Sequence, residues 1–150
     1  MLQLAGRNSS AYYERASLEF NQLTLQMELF FKDYDMILTP TLALPPLEMG
    51  ALKYSQFHKL LLSFVSQLPN IGLFSRLIQF LSHKMFNFMP FTPLFNITGQ
   101  PAMSIPLYWN AQNLPIGCQF ASRLGNEIEL LQLATSLERI EPWINKQPVI

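Results

Sequence analysis

The chain has 150 residues, enough for one domain or a large part of one, and its ten Lys and Arg balance ten Asp and Glu. Hydrophobic residues make up 49% and charged residues 13%, about half the charged share usual in a soluble domain. Without a basic stripe interleaved with aromatics there is no electrostatic footprint for nucleic acid, and so little charge predicts a folded piece with an apolar face that meets something else.

The single cysteine, Cys118, cannot close an internal disulfide, and no Cys and His stand at metal-ligand spacing, so a reducing, cytoplasmic setting is the default. The first seven residues lack the charged and apolar regions of a signal peptide, and no export follows from them. Residues 85 to 122 carry no charge, yet Pro90, Pro93, Pro101, Pro106 and Pro115 with Gly99 and Gly117 prevent a spanning helix. This stretch reads as buried strand and turn.

In chain order, Ser9 and Ser10 can cap a helix, and Ala16, Phe20, Leu23, Met27 and Phe30 recur at the spacing of one helical face, predicting a helix to about residue 32. Met36, Ile37 and Leu38 form a short apolar strand that Thr39-Pro40-Thr41 ends. Residues 52 to 85 read as two short apolar helices broken at Pro69-Asn70, on a stripe of Tyr54, Phe57, Leu61, Phe64 and Leu68 and a second of Leu73, Leu77 and Leu81. Residues 102–109 and 115–121, joined by Asn110-Ala111-Gln112-Asn113, predict an antiparallel hairpin. Asn126 and Glu129 have capping-box spacing, opening a helix from about Glu127 to Ile140 that Pro142 limits. The order of elements gives an α/β protein with an incomplete mixed sheet and flanking helices. Three strands would leave sheet edges and helix faces uncovered, which argues for a missing partner segment.

Candidate chemistry is sparse. Cys118 with His58 or His83 would make a thiol nucleophile and base, but a small apolar cysteine inside a strand reads better as core packing. Ser104 lacks the glycines of a nucleophile elbow and reads as a structural hydroxyl bonded to nearby backbone. His58 and His83 have no partner at metal spacing and read as solvated. The apolar helices before Phe88 allow an interfacial membrane segment, but Lys53, Lys59, Arg76 and Lys84 are too dispersed for the usual basic face.

Several blocks carry a family resemblance. The run from Phe95 through Asn96-Ile97-Thr98-Gly99-Gln100-Pro101-Ala102-Met103-Ser104-Ile105-Pro106 resembles a segment late in amidase-signature hydrolases. Leu114-Pro115-Ile116-Gly117-Cys118-Gln119, then Glu129-Leu130-Leu131, Leu137-Glu138 and Pro142-Trp143 follow it at suitable spacing, and Asp35 to Thr41 resembles the family's strand ending in a Thr-Pro loop. The wording from Pro90 to Trp109 is most similar to the 6-aminohexanoate-cyclic-dimer hydrolase branch. The resemblance implies the carboxy-terminal portion of an amidase domain of α/β/α type, spanning residues 1–150, whose amino-terminal catalytic portion is absent. Such enzymes cleave linear or cyclic carboxamides with a serine nucleophile, a second serine in a cis peptide and a lysine. None of the three can be placed in this sequence: Ser9-Ser10 follows Asn8 and opens a helix instead of lying in a glycine-rich loop. No cofactor and no metal are implied. The resemblance does assign a pocket-lining role to Thr92, Phe95 and Asn96, and more weakly to Thr39 and Thr41. The alternative for Phe95 is core packing, and for Asn96 a bond to local backbone. The expected partners are an amide substrate, bound only together with the missing portion, and a complementary amino-terminal chain. The contrasting expectation is a non-catalytic interaction module or membrane-associated remnant.

Overall fold

A computed structural model of the chain describes residues 10–50, 56, 60, 63, 83 and 86–148. The elements, in chain order, are α1 (Ser10–Phe30), β1 (Met36–Pro40), α2 (Thr92–Thr98), β2 (Ala102–Trp109), β3 (Pro115–Ser122) and α3 (Glu127–Ile140). The α/β class with flanking helices is borne out, and the strands form a three-stranded sheet in the order β1-β3-β2, with both pairings antiparallel. The two helices expected over residues 52 to 85 lie outside the described residues, apart from Gln56, Leu60, Ser63 and His83, which are helical. Ser9 and His58 also lie outside them.

The hairpin is fixed by one asparagine. Asn110 Oδ1 accepts the amides of Gln112 (3.0 Å) and Leu114 (2.9 Å), while the Asn110 amide donates to the Leu114 carbonyl. Asn113 takes the left-handed conformation at φ 56°, which asparagine tolerates better than most residues. The register slips by one residue between Ile105 and Tyr108. Pro106 falls in this bulge, where its missing N–H costs no ladder bond.

Because residues opposite one another share a face, the register sorts the side chains into two sets. Met36, Leu38 and Pro40 lie with Phe120, Cys118, Met103 and Ile105; Ile37 and Thr39 lie with Ala121, Gln119, Ala102 and Ser104. The first face carries the core. Ile105, Phe120 and Leu130 of α3 are buried together, with Met36, Met103, Cys118, Leu133, Leu137 and Trp143 packed around them. Cys118 is thus a packing residue, as its strand position predicts. Apart from Ile37, the second face is small and polar.

Two local expectations change. The box between Asn126 and Glu129 does not form: Asn126 makes no side-chain cap, and its carbonyl instead accepts Ser122 Oγ at 3.2 Å. Glu129 turns to Arg123, 3.8 Å away, so the first turn keeps its acidic charge near the positive helix end without reciprocal capping. In α1 the predicted apolar face is mostly solvent-facing, with Phe20, Leu23 and Phe30 exposed, and the buried aromatic is Phe31, just past the helix end. A helical stripe records which side is apolar, not whether a neighbour lies against it. Tyr12, Leu18 and Leu25 of α1, and Ile128, Leu131 and Ile140 of α3, are likewise exposed. No helix among the described residues is long and apolar enough to cross a membrane.

Candidate substrate cavity

Over the polar sheet face lies a cavity of about 410 Å³, within the range of small-molecule sites. Its lining joins Thr92, Phe95 and Asn96 of α2 to Thr41, Gln100, Ala102, Met103, Ser104 and Gln119. Each wall has a local cause. Pro93 suits the first turn of α2, where its missing N–H is no loss. The helix stops at Gly99, whose φ of 81° only glycine adopts without strain and whose amide closes on the Phe95 carbonyl at 2.9 Å. That reversal delivers Gln100 and Pro101 into β2. On the opposite side, Ala43 donates its amide to the Phe88 carbonyl at 3.0 Å, tying the loop after β1 to the segment leading into α2.

The floor is a hydroxyl pair over a glycine. Thr41 continues the β1 ladder by donating its amide to the Gly117 carbonyl at 2.9 Å, and Thr41 Oγ1 lies 2.5 Å from Ser104 Oγ. A methyl group on Gly117 would sit 2.6 Å from both oxygens, so the pair exists because β3 has no side chain there. Ser104 is therefore bonded to a side chain from β1's extension and not, as expected, to nearby backbone.

Four of the five residues proposed from resemblance, Thr41, Thr92, Phe95 and Asn96, meet in this one cavity. Thr39 does not line it: it lies on the same sheet face with its Oγ1 buried and unpaired. The alternatives left open for two of them also hold in part, since Phe95 is buried and Asn96 Nδ2 donates to the Thr92 carbonyl at 3.3 Å. Sequence reasoning missed Gln100 and Gln119. The alternation of Gly117, Gln119 and Ala121 with Cys118 and Phe120 was the available signal, because it turns Gln119 away from the core. Gln100 Oε1 and Gln119 Nε2 are buried without hydrogen-bond partners. No group of three or more potential metal ligands occurs among the described residues.

An antiparallel sheet with a helix-packed apolar face and a cavity on its polar face makes this an α/β domain. The amidase family model matches residues 2–131, and the chain belongs to that family, corresponding to the carboxy-terminal part of a larger amidase. It is 30% identical over 133 residues to the Mycobacterium leprae protein named amidase AmiC, covering 89% of this chain and 24% of that protein. It is 42% identical over 60 residues to the 6-aminohexanoate-cyclic-dimer hydrolase of a Pseudomonas species, covering 40% of this chain and 12% of that one. The solved structure of a 6-aminohexanoate cyclic dimer hydrolase superimposes with a TM-score of 0.74 at 26% identity, over 96% of this chain and 27% of that one. The chain thus spans about a quarter of the length of AmiC and of the hydrolase structure.

Proposed function

We propose that this chain is the scaffold and one wall of an amidase's substrate cavity, and that a serine, a cis-peptide serine and a lysine on the remaining portion supply the chemistry. The parent reaction is hydrolysis of a carbon–nitrogen bond in a linear or cyclic carboxamide, in a reducing, cytoplasmic setting. The carrying observation is the assembly of Thr41, Thr92, Phe95 and Asn96 around one cavity on the polar sheet face of an amidase-family fold. Division of labour follows from what an activated nucleophile needs, namely three groups within hydrogen-bond reach of one another, and the described cavity lining has hydroxyls but no lysine. Exposed apolar side chains on α1 and α3 and the unpaired buried Thr39 Oγ1 and Trp109 Nε1 support a fold completed by further protein, since unpaired buried polar groups are costly.

The test is co-expression with the amino-terminal portion encoded immediately upstream, followed by assay of amine release from the 6-aminohexanoate cyclic dimer and from linear carboxamides. The expected result is turnover by the complex and none by residues 1–150 alone. Turnover by this chain alone would overturn the division of labour. A complex that forms without turnover favours the second reading, a non-catalytic interaction module, for which the exposed apolar side chains of α1 and α3 are the supporting observation.

A further inference from the structure

Two glutamines in the cavity wall each bury an amide atom that has no partner. Gln100 and Gln119 are 5% and 4% exposed, both line the cavity, and each has one unpaired amide atom: an acceptor, Gln100 Oε1, and a donor, Gln119 Nε2. Among the neighbouring polar side chains, Thr41 is engaged with Ser104 and Asn96 with the Thr92 carbonyl. Burying an amide atom without a partner costs free energy, and each such atom in a native fold calls for a partner. One acceptor and one donor are the complement of a secondary amide, whose N–H donates and whose carbonyl accepts. Both unpaired atoms are shut off from water in the free chain, but the terminal torsion of glutamine is soft, so each amide can rotate toward an entering group. Phe95 and Ala102 supply apolar surface for a hydrocarbon chain.

We propose that Gln100 and Gln119 form a recognition pair for a secondary carboxamide, Gln100 Oε1 accepting its N–H and Gln119 Nε2 donating to its carbonyl. The inference rests on the reading of the cavity as part of an amidase's substrate chamber, and it assigns the pair a binding role, not a chemical one.

The test compares ε-caprolactam, a secondary lactam, with ε-caprolactone, nearly the same shape without the N–H, against the nitrogen-15-labelled chain. The lactam shifts the side-chain NH₂ signals of both glutamines saturably and binds on the order of tenfold more tightly than the lactone. Gln100→Met removes the acceptor and abolishes that preference, whereas Gln119→Met weakens lactam and lactone alike, because both keep a carbonyl. Backbone amide spectra confirm that the variants retain the sheet, and the lactam-to-lactone ratio on the unmodified chain needs no variant. Equal binding of the two ligands, unmoved glutamine signals, or a preference that survives Gln100→Met would overturn the proposal. The outcomes separate from those of the complementation assay. Glutamine signals that respond while the complex never turns over would uphold the recognition pair against the amidase reading. Restored turnover with silent glutamines would do the reverse.

Discussion

Replacing Gly117 by alanine is the sharpest perturbation of this cavity. The new methyl would lie 2.6 Å from Thr41 Oγ1 and from Ser104 Oγ and 3.0 Å from Thr41 Cβ, distances that require a neighbour to move. Thr41 cannot move freely, because its amide is bonded to the Gly117 carbonyl of neighbouring β3. Relief therefore breaks the hydroxyl pair, worth about 1 kcal/mol, or displaces β1's extension. Overpacking of this kind costs about 1–3 kcal/mol. Alanine returns about 0.4–1 kcal/mol by restricting the unfolded chain, leaving a net destabilisation of about 1–2 kcal/mol. For a chain this long that lowers the melting temperature by roughly 2–8 °C, readable by thermal and urea denaturation. A second measurement isolates the cause: in a Thr41→Ala, Ser104→Ala background both oxygens are gone, and Gly117→Ala should cost at least about 1 kcal/mol less there, a coupling expected only of residues in contact. The same penalty in both backgrounds, or a neutral Gly117→Ala, would refute the reasoning.

Leu130→Ala, removing a side chain buried between α3 and the sheet, should cost about 2–5 kcal/mol, seen as a lower urea midpoint at an unchanged slope. Ser122 is fully buried and its hydroxyl donates to the Asn126 carbonyl; Ser122→Ala should cost about 1 kcal/mol by the same assay and loosen the entry to α3. Asn113→Gly, at a left-handed turn position, should change stability by under about 1 kcal/mol, since glycine relieves backbone strain while gaining unfolded-chain entropy. Asn110→Ala should cost more than Asn113→Gly, because it orphans the Gln112 and Leu114 amides together, and the hairpin amides should then exchange faster.

Much of the framework was legible because it is local. The hairpin follows from asparagines between apolar runs, and α3 from a face of leucines ended near Pro142. The pocket candidates on α2 came through resemblance, since no periodicity in Thr92-Pro93-Leu94-Phe95-Asn96 says what it faces. What stayed hidden depends on contacts distant in sequence. Thr41 and Ser104 meet only because β1 pairs with β3, and Gly117 matters only once both hydroxyls are above it. The capping box failed for a local reason: the Arg123 carbonyl accepts the Asn126 amide and the Arg123 guanidinium holds the Glu129 carboxylate, the two groups the box would have joined. The exposed stripe on α1 shows the same limit, because an apolar pattern does not carry the identity of the surface that covers it.

The central strand of the sheet receives its two neighbours on very different terms. β2 reaches β3 through the short turn at Asn110–Leu114, whereas β1 must return across most of the chain to pair Met36 with Ser122. Closing the larger loop costs more chain entropy and slows assembly. The hairpin with α3 is therefore expected to become protected first in pulsed hydrogen exchange, and β1 last. Since Thr41 arrives with β1, the cavity floor is completed only at the final docking step, so the cavity is the latest part of this fold to mature.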